Sequence, residues 1–75
     1  MEKKVKAEVL AVDDHCLILE GISKIVNKMP DAIVTNVATS GRAALELIGR
    51  HNYDVCILDV SMPDMSGFDL ITKIR

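Results

Sequence analysis

YDVCILDVSMPDMSG, positions 53–67, is the stretch around which the rest of the chain is arranged. Its first half is an apolar run that ends on a carboxylate, Asp59. Its second half is a tight loop carrying Met62-Pro63 and closing on Gly67. A second apolar run, VLAV at 9–12, also ends on acid, at Asp13 and Asp14. Short runs of this kind suit strands covered on both faces, as in parallel sheets. Two parallel neighbours that each end in acid bring Asp13, Asp14 and Asp59 together at the carboxyl edge. Open α/β sheets hold their ligands at that edge.

Working outward, the remaining sequence supplies the scaffold. The first strand spans about 6–12. A helix over 16–29 follows, with Ile18, Ile22, Ile25 and Met29 at spacings of three and four, and Leu17, Gly21 and Val26 broadening that face. Pro30 ends it. Gly21 costs a helix about 1 kcal/mol against alanine, and close packing on the sheet is the reason expected for it. Positions 32–38 (AIVTNVA) form a second strand, and Thr35 and Asn36 interrupt its apolar run as in an edge strand. Ser40 is placed to cap a second helix over 42–50, whose apolar face is Ala44, Leu45, Leu47 and Ile48. The third strand is 54–58. Ser66 is placed to cap a third helix from Gly67, with Asp69 at the third helical position and Phe68, Leu70, Ile71 and Ile74 as its stripe.

The order is β-α-β-α-β-α. Right-handed crossovers make it a three-layer α/β fold, flavodoxin-like, with a parallel sheet in strand order 2-1-3.

Composition narrows the function. The chain has 75 residues, a hydrophobic content of 49% and a net charge of -2. This excludes a disordered polyelectrolyte and a strongly basic nucleic-acid surface. The basic start, MEKKVK, lacks the apolar core of a signal peptide, and no apolar run is long enough for a bilayer. A cytoplasmic location without membrane attachment is expected. Cys16 and Cys56 are expected to be buried, reduced side chains rather than a disulfide, and His15 beside Cys16 lacks the paired spacing of a zinc site.

The acids carry the chemistry. Three carboxylates close together repel, and at least one holds a proton unless something compensates. Mg²⁺ is the natural compensator, being hard, oxygen-seeking and commonly held by one or two carboxylates plus water. A strand-end aspartate can also act as a nucleophile toward phosphorus. On this reading Asp59 accepts the phosphoryl group, Asp14 is a direct metal ligand and Asp13 supports the metal. Ser61 offers its backbone carbonyl. Met62, Pro63 and Gly67 shape the loop, Pro63 by restricting the residue before it and Gly67 by allowing tight helix entry or an unusual backbone conformation. Against this stand the ordinary uses of aspartate in caps and turns. His15 is tempting as a base but reads as an exposed residue of the cap region, and His51 reads as surface. Met29, Met62 and Met65 read as packing or loop-tucking residues.

VLAVDD (9–14), CILD ending at Asp59, and VSMPDMSG (60–67) together resemble the receiver domain of bacterial two-component response regulators. The resemblance implies that Asp59 is the phosphoacceptor, that Asp13 and Asp14 organise Mg²⁺, and that the partner is a sensor histidine kinase. DDH followed by Leu17 and Gly21 resembles receivers with a LuxR/NarL-type helix-turn-helix output, which implies transcriptional regulation through a DNA-binding domain outside this chain. It also implies that 1–75 is part of a receiver. Two further strands, bearing a hydroxyl and a lysine that contact the phosphoryl group, would follow. Without them the third strand is an apolar edge, and self-association through that edge or by strand exchange is expected.

Two other classes compete. A Mg²⁺-dependent phosphatase with an aspartate nucleophile would carry a second aspartate two positions on, where Ser61 stands. An interaction module that takes no phosphate would have no use for all three acids. A dinucleotide fold is weaker still, since the turn DDHC lacks glycine.

Overall fold

The computed structural model describes residues 6–59 and 62–74, apart from the side chains of Phe68 and Ile74. The elements are β1 (Ala7–Val12), α1 (Cys16–Asn27), β2 (Ala32–Ala38), α2 (Gly41–Arg50), β3 (Val55–Leu58) and α3 (Gly67–Ile74). The sheet is parallel in the order β2-β1-β3. β1 is central because it is apolar on both faces, and Val9 through Val12 are all buried. β2 is an edge strand. Its register against β1 slips between Val9 and Leu10, so that Val34 and Asn36 oppose consecutive residues of β1 and Thr35 bulges out. A bulge bends an edge and spoils it for further pairing.

Successive side chains of β1 point to opposite faces. Leu10 and Val12 join Ala38, Ala44, Met62 and Leu70 in the main core, with Leu45, Leu47, Ile48, Leu58 and Met65 packed against it. This is the α2–α3 side. Val9 and Ala11 face the other way, and α1 packs on β1 and β2. Passing from β1 out to β2, and then back across β1 to β3, with right-handed crossovers at both steps, requires helices on opposite faces.

Helix α1 differs from its expected face. Its buried residues are Leu19 and Val26, whereas Leu17 is 82% and Ile25 65% exposed, and Ile18 and Met29 are also exposed. The stripe 18, 22, 25, 29 and the stripe 19, 22, 23, 26 lie on adjoining sides of one helix, and almost every position in between is apolar. Periodicity alone does not choose between them. The helix also stops at Asn27, earlier than expected, where the Asn27 side chain turns to accept the Val34 N–H at 2.9 Å. Gly21 is not in close packing, since a Cβ there would meet nothing within 4 Å. Both cysteines are exposed. Cys16 sits in the first turn of α1, and Cys56 lies on β3, which among the described residues pairs with β1 alone.

The caps are as expected. Ser40 Oγ accepts the Ala43 N–H at 3.1 Å, and Ser66 Oγ accepts the Asp69 N–H at 3.1 Å.

Candidate functional site

The ladder bonds continue one residue past each strand. The Asp13 N–H donates to the Ala38 carbonyl at 3.1 Å, and the Asp59 N–H donates to the Val12 carbonyl at 2.9 Å. These bonds hold both aspartates at the carboxyl edge of the sheet. The backbone then leaves β1, and His15, in extended conformation, becomes the N-cap position of α1. Asp13, Asp14, His15 and Asp59 each offer a ligand atom, and all four atoms lie within 4.8 Å of one another. The convergence expected of Asp13, Asp14 and Asp59 is therefore present.

His15 belongs to the group more closely than its sequence position suggested. Its ring is exposed, as expected, but Nδ1 is 3.0 Å from Asp13 Oδ1, and the same oxygen accepts the His15 backbone N–H at 2.9 Å. Asp13 is only 8% exposed. The backbone N–H of His15 holds the Asp13 carboxyl below its usual range, with help from the His15 ring and against the opposing effect of burial. The His15 imidazole is in turn raised, first by its hydrogen bond to Asp13 and then by the charges of Asp14, Asp13 and Asp59. A cation thus already stands among these acids whenever His15 is protonated, and it relieves part of their repulsion.

Asp14 Oδ1 is also 3.0 Å from His15 Nδ1, yet this oxygen is buried with no hydrogen bond aligned on it among the described residues. Of the two contacts of the ring nitrogen, only the one to Asp13 Oδ1 meets hydrogen-bond geometry, and the one to Asp14 Oδ1 is a close electrostatic approach. A buried carboxylate oxygen without a donor is costly. A hard cation with an incomplete oxygen shell is the kind of group that satisfies it.

The loop residues are disposed as follows. Met62 is buried in the main core and Met65 packs against it, which bears out their reading as packing residues. Pro63 is exposed. Gly67 is buried at the entry to α3, and no described glycine has a positive φ, so the unusual backbone conformation entertained for it is absent. Ser61 lies outside the described residues. His51 is exposed, but Nε2 is 2.7 Å from Glu8 Oε1, which ties the end of α2 to β1 at the edge of the sheet away from the acids.

One residue was missed. Asp64 Oδ1 accepts the Gly41 N–H and Oδ2 the Arg42 N–H, each at 3.0 Å. These two bonds lower its carboxyl below the usual range. No sequence signal pairs a loop aspartate with a helix start more than twenty residues away.

An acid cluster at the carboxyl edge of a 2-1-3 parallel sheet defines a flavodoxin-like receiver architecture. The comparisons agree: the family described as response regulator receiver domain matches residues 9–75, and the chain belongs to that family. It is 46% identical over 74 residues to a protein-glutamate methylesterase/protein-glutamine glutaminase of Burkholderia pseudomallei, covering 99% of this chain and 20% of that protein. The chain thus spans about a fifth of the length of the curated relatives it matches. Among solved structures, a LuxR-family two-component response regulator from Aurantimonas superposes with a TM-score of 0.89 at 26% identity, covering 93% of this chain and 50% of that one. The response regulator domain of Thermotoga maritima CheB superposes with a TM-score of 0.82 at 30% identity, covering 93% and 55%.

These findings correct the expected output. The fold is shared by receivers with either output, so superposition does not distinguish them, whereas the curated relatives at 42–46% identity carry the methylesterase/glutaminase name. The helix-turn-helix assignment rested on DDH, Leu17 and Gly21. The acids belong to the site itself, Leu17 points to solvent, and a Cβ added at Gly21 would meet nothing within 4 Å. No contact of these residues within the domain ties them to one output. Membership of the receiver family, whose domains are not conventional enzymes, speaks against the phosphatase reading. Among the described residues no helix is long and apolar enough to cross a membrane.

Proposed function

We propose that this chain is the phosphoacceptor module of a two-component system, with Asp59 taking a phosphoryl group from the phosphohistidine of a sensor histidine kinase. The observation that carries this reading is the meeting of Asp13, Asp14 and Asp59 at one strand edge, with an Asp14 oxygen buried and unsatisfied. The residues fit a divalent cation. Asp14 and Asp59 would ligate Mg²⁺, Asp13 would support it and Ser61 would offer its backbone carbonyl. When bound, Mg²⁺ neutralises charge on the acids and on the incoming phosphoryl group.

The chain's own residues do the rest. An Asp59 oxygen attacks phosphorus, the P–N bond to the donor imidazole breaks, and an acyl phosphate forms. Phosphoryl transfer of this kind needs positioning and charge neutralisation more than a strong base. The strand-end hydrogen bond from the Asp59 N–H to Val12 fixes the acceptor, and Asp13 holds His15 beside the acids. The similarity to methylesterase/glutaminase proteins supports an output of that catalytic type in the whole protein.

The test is incubation with a small acyl-phosphate or phosphoramidate donor and Mg²⁺, followed by intact-protein mass spectrometry. One hydroxylamine-labile phosphoryl group is expected on the wild type and none on Asp59→Asn. Absence of the adduct on the wild type, or its persistence in the variant, would overturn the assignment.

A further inference from the structure

The loop after Asp59 is fastened to the start of α2. Asp64 takes the N–H groups of Gly41 and Arg42, Ser40 Oγ takes that of Ala43, and the Ser40 carbonyl takes that of Ala44 at 3.1 Å. Three of the donors that a helix start leaves unpaired, those of Gly41, Arg42 and Ala43, are thus satisfied, and Ala44 begins the ladder of the helix itself. Two of them are satisfied from 23 and 22 residues away. One residue on, Met65 lies so close over Gly41 that a Cβ there would sit 2.2 Å from Met65 Cγ. Met62 is buried in the core beside Leu70. The stretch 62–65 is thus held at three points.

A cap that served only the helix could be local, as Ser40 is. Drawing it from the loop makes the loop's position depend on α2, and the start of α2 is already fixed to the acid pair. Ala38, three residues before Gly41, accepts the Asp13 N–H, and the Asp59 N–H returns to Val12. The connections close a ring from Asp13 through Ala38, Gly41, Asp64 and the loop to Asp59, and back to β1. Asp13 and Asp59 are themselves members of that ring.

We propose that Asp64 is a positioning residue for the divalent-cation site, its two-oxygen clamp on α2 setting where the loop after Asp59 stands relative to Asp13 and Asp14. This rests on the receiver reading above. It follows that losing the clamp loosens the cation site even where the fold survives. Supports behind metal ligands commonly carry about 10–100-fold in affinity, and the low end, about tenfold, is expected here because Asp64 acts through the loop backbone.

The experiment is a backbone amide NMR titration with Mg²⁺ on the 75-residue chain as wild type, Asp64→Ala, Asp64→Asn and Ser40→Ala. Ser40→Ala removes a cap from the same helix without touching the loop. Both alanine variants are expected to melt earlier. Asp64→Ala alone should weaken Mg²⁺ binding about tenfold, with Asp64→Asn, which keeps one acceptor oxygen, in between. Without metal, Asp64→Ala should shift the amides of Asp59 and Met62, and Ser40→Ala should not. Equal Mg²⁺ affinity in Asp64→Ala and Ser40→Ala would overturn the proposal. A wild type that ignores Mg²⁺ would instead sink the cation-site part of the proposed function. The metal-free spectra then decide the clamp: undisturbed Asp59 and Met62 amides in Asp64→Ala refute it.

Discussion

Replacing Gly41 with alanine tests the packing that joins the loop to α2. The new Cβ would stand 2.2 Å from Met65 Cγ, 2.7 Å from Sδ and 3.3 Å from Cε. Carbon atoms in contact sit about 3.5–4.0 Å apart, so Met65 must retreat by roughly 1.5 Å. Methionine is flexible, but Cγ is near the root of the side chain and its motion drags the loop. Overpacking of this kind costs about 1–3 kcal/mol. Alanine recovers at most about 1 kcal/mol of helix propensity, and less at a first helical position. The net expectation is a loss of about 1–2 kcal/mol, which in a domain of this size lowers Tm by roughly 5–15 °C. The sign should change once Met65 is shortened. In a Met65→Ala background the offending atoms are gone, and Gly41→Ala becomes neutral or stabilising by up to about 1 kcal/mol. The coupling between the two positions is then about 2 kcal/mol. Urea and thermal unfolding followed by circular dichroism on the four proteins of the cycle provide the numbers. If Gly41→Ala has the same effect in both backgrounds, Met65 does not rest on Gly41 and the reasoning fails.

Leu10→Ala empties the centre of the core. Leu10 is fully buried on the middle strand, such truncations cost about 2–5 kcal/mol, and small domains hold only about 5 kcal/mol or a little more. The variant is expected to lose its cooperative urea transition, and a sigmoidal curve within about 1 kcal/mol of the wild type would contradict the core assignment. The His15 ring should titrate above its ordinary value of 6.5 by proton NMR, and Asp13→Asn should bring it down, since the bond to Asp13 is the largest cause of the shift. Because its folded pKa is raised, the stability it contributes is complete below about 6.5 and is lost as pH rises through the folded value. An unaltered titration in Asp13→Asn would show that the contact between them is not formed.

Much of the fold was legible because it depends on short-range rules. The β-α-β-α-β-α order, the central β1, the edge position of β2 and the serine caps all follow from runs, alternation and capping residues within a few positions of one another. The three acids were legible for the same reason, since each closes an apolar run and strand order then brings them together. The buried face of α1 was not, because its apolar residues cover more than one side and the choice depends on which side meets the sheet. The cysteines were misjudged because an apolar neighbourhood in sequence does not put a neighbour in space. Cys56 is exposed on β3, which among the described residues pairs with β1 alone.

The site divides in the same way. The sequence by itself determined which carboxylates stand at the strand ends, because a parallel sheet converts the end of a run into a position in space. Only the tertiary structure decided what surrounds them: His15 folded back onto Asp13, an Asp14 oxygen left without a donor, and Asp64 reaching across to α2. Those are contacts between side chains and backbone groups brought together by chain reversal. Hydrogen bonds form over about 3 Å, and a linear pattern carries no record of which groups come that close.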